Sequence, residues 1–176
     1  ARTGYTGELG LEIYLPVAEA PRLWEQLLEV GGEAIQPIGL GARDTLRLEM
    51  GYSLYGNDIS EDTTALEAGL SWVVKFAKGD FIGKDALLAQ KEQGINRRLV
   101  GFILTEKAIP RPGYKIIHQG IEVGEITSGT MSPTLGTPIG MAYIAKDLAQ
   151  IGTEVQVVIR KKTYGAQIVR RPFINN

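Results

Sequence analysis

The sequence predicts an α+β protein, because two kinds of periodicity occupy separate stretches of its 176 residues. Helical spacing dominates up to about residue 94. After Asn96 come short β-like runs parted by Gly, Pro and Ser, with no helical stretch among them. That second pattern predicts a compact all-β barrel or sandwich. A boundary between two regions, 1–94 and 95–176, follows from the change of character.

Residues 9–15, LGLEIYL, alternate strictly, with Leu9, Leu11, Ile13 and Leu15 on one face and Glu12 and Tyr14 on the other. Period two predicts a strand with one face in a core, ended by Pro16. From Ala18 to about Val30 the apolar residues Leu23, Trp24, Leu27 and Leu28 form a helical stripe, closed by Gly31 and Gly32. A second helix is predicted over 41–50, GARDTLRLEM, where Leu46 and Met50 lie four apart, as do Arg43 and Arg47. YGNDIS at 55–60 reads as a turn, LSWVVKFA at 70–77 as a buried strand, and 81–94 as a third helix stopped by Gly94. The β-like runs are RRLVGFIL, YKIIHQ, IEVGEI, IGMAYIA, EVQVVIR and AQIVRR, with hairpins expected at HQGI and RKKT.

Composition removes several kinds of chemistry. With 19 basic and 20 acidic residues the net charge is −1, so no bulk positive field draws in nucleic acid. Cysteine is absent, which excludes thiol nucleophiles, thiolate metal sites and disulfides. The single histidine, His118, supports neither a multi-histidine metal site nor a Ser-His-Asp triad, and reads as a surface residue. No apolar run approaches the roughly 20 residues of a membrane span. Neither a phosphate loop nor a dinucleotide fingerprint occurs.

Two charged residues stand out. Glu12, opposite four aliphatics, reads either as a solvated carboxylate or as the acceptor pair for a planar ligand. A carboxylate's two oxygens match an adjacent ring N–H and exocyclic amine, as a pterin offers, and Tyr5 and Tyr14 would supply ring contacts. Arg43 falls in the first turn of its helix, where a cation opposes the helix dipole. It reads either as one half of an ion pair with Asp44, Glu49 or a distant carboxylate, or as a clamp on an anionic ligand. Asp58, Glu61 and Asp62 read as a solvated acidic turn, SGTMSPTLG at 128–136 as a β-domain loop first and a binding loop second, and Trp24 and Trp72 as core.

Longer strings add to this. RTGYTGELGLEI at 2–13, GLGARDTLRLEMGYSLYGNDI at 39–59 and TSGTMSPTLGTPIGMAYI at 127–144 resemble signatures of the glycine cleavage T-proteins, as do ALEAGLSW and FIGKDAL. The matches run in order along nearly the whole chain. The resemblance implies a tetrahydrofolate-dependent aminomethyltransferase that takes its one-carbon unit from the lipoyl arm of H-protein. It implies that residues 1–94 are the later part of the folate-binding core, ferredoxin-like in part, and 95–176 a Greek-key or jelly-roll-like barrel. Tyr5, Glu12 and Arg43 match the family's folate-contacting residues. The family runs to about twice this length. Its aspartate near the folate nitrogens lies in the part without a counterpart here, so no catalytic residue is assigned and the chain alone is expected to be inactive, with exposed apolar surface. The compartment implied is the cytoplasm in a bacterium and the mitochondrion in a eukaryote. The folate-binding tail of a dimethylglycine or sarcosine oxidase is the neighbouring alternative, and a non-catalytic folate- or protein-binding module the more distant one. The related iron–sulfur assembly proteins need a cysteine motif that this chain lacks.

Overall fold

The computed structural model describes residues 1–174. Two compact units divide between Arg47 and Leu48, inside the second helix. Barrel strands begin later, at Arg97, so the second unit holds the segment from residue 48 onward together with the barrel.

In the first unit, α1 (Ala20–Gly31) forms where the stripe predicts it, with a proline in its first turn. Gly32 closes it at φ 49°, its N–H donating to the Leu28 carbonyl. No residue of α1 is buried, and Trp24 is exposed rather than core. The strand expected over 9–15 does not form. Leu9, Leu11 and Ile13 are exposed, and the one backbone pairing is between Glu12 and Ala1, through Glu12 N–H to Ala1 O at 2.9 Å. Alternation supplies a face, but a strand also needs a ladder partner, and none of the described residues provides one. Helix α2 (Leu40–Glu49) carries the chain into the second unit.

The second unit opens with a run of tight turns. Leu54 O accepts from the N–H groups of Asn57 and Asp58, while the Asp58 carboxylate takes the Leu54 N–H at 2.9 Å. This is the YGNDIS turn, but Asp58 is fully buried instead of solvated. The bulged Thr127 donates its hydroxyl to the same carboxylate, and Tyr143 donates to the Asp58 carbonyl. Further on, Thr64 and Glu67 bond reciprocally, Thr64 N–H to Glu67 Oε2 at 3.0 Å and Glu67 N–H to Thr64 Oγ1 at 3.2 Å. That exchange is the capping-box device used in isolation. Instead of the expected buried strand, 70–77 forms two 3-10 turns, Ser71–Val73 and Phe76–Lys78, with Trp72 exposed. Gly69 and Gly79, at φ 73° and 105°, end the extended direction on both sides. Helix α3 (Lys84–Gln93) follows and stops at Gly94.

Six strands then close an antiparallel barrel: β1 (Arg97–Leu104), β2 (Lys115–His118), β3 (Ile121–Ser132), β4 (Thr137–Ala145), β5 (Glu154–Ile159) and β6 (Lys162–Val169). Their order is β1-β4-β3-β2-β5-β6. Three consecutive hairpin-linked strands, β2 to β4, with β1 beside β4, make a Greek key, and closure removes free sheet edges. Both expected hairpin turns are present, at Gln119-Gly120 and at Arg160-Lys161. Phe102, Ile116, Ile126, Ile144, Val157 and Ile168 fill the interior. A Cβ on Gly140 would stand 2.4 Å from the Phe102 ring, so the ring fills a space that only glycine leaves open.

Strand β4 is buried on both faces. Its outer side chains Ile139, Met141 and Tyr143 pack with Leu48, Leu99 and Phe173 in a second cluster. Beside it lies Glu49, fully buried, whose carboxylate accepts from the Ser132 hydroxyl, from Thr134 N–H at 3.1 Å and from Thr134 Oγ1 at 3.0 Å. The Glu49 carbonyl accepts the Phe173 N–H at 2.9 Å. One residue thus ties the end of α2 to the β3–β4 turn and to the C-terminal segment. Truncating it takes the acceptor from the buried Ser132 hydroxyl and from two donors of Thr134, and opens a cavity at a fully buried position. Glu49→Ala is expected to cost about 3 kcal/mol in urea unfolding, with Glu49→Gln costing less because it keeps an acceptor.

Arg97 adds a second tie. Its guanidinium bonds Glu67 at 2.9 Å and lies 4.8 Å from the centre of the Tyr143 ring. Desolvation alone would raise the Glu67 carboxyl pKa, but the Thr64 N–H and the Arg97 guanidinium outweigh it and hold the value below the ordinary carboxylate range. A depressed folded-state pKa means stability that is present above the unfolded-state value and lost as pH falls through the folded-state one. Stability measured against pH should therefore fall in the acid range. Glu67→Gln should flatten that part of the profile and leave the neutral-to-alkaline part parallel to wild type.

Candidate functional site

Two of the three ligand-contact residues predicted from sequence come together in the first unit. Arg43 sits in the first turn of α2, where Gly39 O accepts both the Ala42 and the Arg43 N–H. Its guanidinium carbon lies 4.7 Å from the centre of the Tyr5 ring. A delocalised cation over an aromatic face is held in orientation without losing its donors. The ion-pair alternatives are not used: Asp44 pairs with Arg47 at 2.5 Å, and Glu49 is engaged by Ser132 and Thr134. Arg43 is exposed, with its forked donors directed to no carboxylate among the described residues.

Glu12, the third predicted residue, is exposed and accepts the Thr3 hydroxyl on Oε2. Among the described residues no ion pair links it to Arg43. Tyr14 stands exposed and makes no ring contact with either residue. The surface therefore offers one carboxylate with a single side-chain donor and one aromatic-stacked guanidinium. An ionised carboxylate has the acceptors for two parallel donors, and a guanidinium has the forked donors for an anion. No group of His, Asp or Glu with the makings of a metal site occurs among the described residues. Likewise no helix among them is long and apolar enough to cross a membrane.

Sequence reasoning missed the structural acids Asp58, Glu49 and Glu67 and read the SGTMSPTLG stretch as a loop first and a binding loop second, where the structure continues β3 to Ser132. Ser132 and Thr134 of that stretch hold Glu49. The available signal was a run of hydroxyl residues around Pro133, which supplies donors but not the identity of their acceptor. His118 ends β2 half-buried, with Nδ1 3.0 Å from the Glu154 carbonyl.

Fold and surface together define an α+β protein with a closed Greek-key barrel, an exposed carboxylate at Glu12 and a guanidinium stacked on Tyr5 at Arg43. Residues 1–78 match the family model described as the GCVT N-terminal domain, and residues 97–175 match the glycine cleavage T-protein C-terminal barrel domain. The chain belongs to the glycine cleavage T-protein family. It is 54% identical over 175 residues to an aminomethyltransferase of Halothermothrix orenii, covering 99% of this chain and 49% of that protein. An aminomethyltransferase of Desulfitobacterium hafniense is 55% identical over 174 residues, covering 98% and 48%. The crystal structure of the glycine cleavage system aminomethyltransferase T from Bartonella henselae superposes with a TM-score of 0.93 at 38% identity, over 98% of this chain and 48% of that one. The chain thus spans about half the length of the relatives it matches.

Proposed function

We propose that this chain is the folate-recognising and barrel-bearing half of an aminomethyltransferase of the glycine cleavage system. The reaction moves a one-carbon unit from the aminomethyl-lipoyl arm of H-protein to tetrahydrofolate. The carbon parts from the lipoyl sulfur, which ends as a thiol, and from its amine, which leaves as ammonia. It finishes bonded to N5 and N10 as 5,10-methylenetetrahydrofolate. Residues 1–94 are the later part of the folate-binding core and 95–176 the barrel domain. In a bacterium the setting is cytoplasmic.

The observation that carries the reading is the Arg43 guanidinium laid over Tyr5 at 4.7 Å, on a chain that matches aminomethyltransferases along its length. In this reading Glu12 exchanges its Thr3 partner for the pterin ring N–H and amine, fixing the ring plane. Arg43, oriented by Tyr5, receives an acidic part of the folate. Both residues act by binding and orientation, which sets N5 and N10 toward the incoming carbon. Proton movement needs one acid–base group, and no residue of this chain is assigned that role.

Two outcomes test the proposal. Substitutions at the positions of Glu12 and Arg43 in a full-length family member, Glu12→Gln and Arg43→Ala, are each expected to weaken tetrahydrofolate binding by about 1–3 kcal/mol in calorimetric titration. Unchanged affinity in both would remove these residues from the site. The chain by itself, mixed with aminomethyl-loaded H-protein and tetrahydrofolate, is expected to release no ammonia; steady methylene-folate production would show that a catalytic group is present after all.

A further inference from the structure

At one end of the barrel a groove of about 790 Å³ lies between the segment after β1 and the β5–β6 hairpin. Five cationic side chains line it: Lys107 and Arg111 from the first, Arg160, Lys161 and Lys162 from the second. All five are exposed, and among the described residues none of their side chains enters an ion pair or hydrogen bond. No acidic residue lines the groove. Among the acids near it in sequence, Glu106 accepts the Gly165 N–H at 3.4 Å, Glu122 and Glu125 both pair with Lys115, and Glu154 stands at the opposite end of β5. In a chain of net charge −1, five like charges around one hollow are a local segregation, and an uncompensated one.

The hairpin adds an independent observation. Arg160 occupies the first loop position at φ 57°, a left-handed conformation that glycine, asparagine or aspartate adopts far more readily. Arginine there costs stability that a glycine would not, so the turn retains a guanidinium at its tip against its own conformational preference. Strain of this kind points to a use for the side chain. Partly buried Tyr114 and Tyr164 pack against the barrel core and form the floor.

We propose that this groove is a binding site for a compact cluster of anionic oxygens, as an oligophosphate group presents. The hollow has the volume of a small-ligand pocket, and the charges surround it instead of spreading over a flat face. Two guanidinium forks, Arg111 and Arg160, suit phosphate oxygens bidentately, while the three lysines supply point charges. The tyrosine rings pack against the core and are half-buried, which disfavours single-stranded nucleic acid, whose bases need open aromatic faces.

The test is calorimetric titration of the chain with inorganic tripolyphosphate at low salt, repeated with magnesium-free ATP and with a hexaglutamate peptide. Tripolyphosphate should bind, and screening should weaken it about tenfold as salt rises to physiological strength. Arg160→Gly and Lys107→Gln should each weaken binding by about tenfold, as for a lost charge-assisted contact. Arg160→Gly should at the same time raise the thermal midpoint, because glycine relieves the turn, so a loss of binding there is not a loss of fold. Lys115→Gln, outside the groove, should leave affinity unchanged. ATP binding more tightly than tripolyphosphate would identify a nucleotide as the source, and equal affinity a free oligophosphate. No binding of either, binding indifferent to both groove substitutions, or binding of the peptide alone would overturn the proposal, the last in favour of an acidic protein segment.

Discussion

A carboxylate with no access to water holds the second unit together. Glu49 sits at the end of α2, buried completely, and no guanidinium or ammonium is paired with it in the bonds described above. Its compensation is a set of donors from one short turn, Ser132 to Thr134. Burying a charge is costly unless its lone pairs are met, and here a backbone N–H and two hydroxyls meet them. The geometry works only if the β3–β4 turn is in register with the last turn of α2. The second cluster around Met141 and Tyr143 then closes over the outer face of the barrel beside it.

That outer face explains why β4 reads as an unbroken apolar run where β5 alternates. Ala142 and Ile144 belong to the interior, while Ile139, Met141 and Tyr143 belong to the outside cluster; β1 divides the same way, with Phe102 inside and Leu99 outside. Polar ties surround the apolar patch. Arg97 reaches Glu67 and the Tyr143 ring, and Thr127, pushed out of register by a β-bulge, reaches Asp58. Arg171 completes the set, with Nη1 3.4 Å from the Gly51 carbonyl and Nη2 3.3 Å from the Leu99 carbonyl. Burial pushes its pKa down, and the Asp58 carboxylate works in the opposite direction. A bulge re-aims one side chain at the expense of ladder regularity, and Thr127 is where this barrel uses one.

Local chemistry made much of this legible in the sequence. The six barrel strands were visible because alternation and turn residues sit within a few positions of each other, and the helices because Leu23, Leu27, Leu46 and Met50 repeat at helical spacing. The 9–15 strand was misread for the opposite reason. Its alternation is as clean as any in the barrel, but pairing is not a local property and the described residues pair only Glu12 with Ala1. Asp58 and Glu49 were opaque because their partners lie far along the chain, 69 residues away for Thr127 and 83 for Ser132. Tyr5, Glu12 and Arg43 were marked by residue type and position, yet which of them meet was not predictable from spacing. The structure stacks Tyr5 with Arg43 and leaves Glu12 on Thr3.

The central functional claim is that Glu12 gives up a local hydroxyl to take a pterin edge. Crystals of the protein soaked with tetrahydrofolate test it directly. The account predicts both Glu12 carboxylate oxygens within hydrogen-bond distance of the pterin ring N–H and exocyclic amine, with Thr3 released. A pterin bound elsewhere, with the Thr3 hydroxyl still on Glu12, would contradict it.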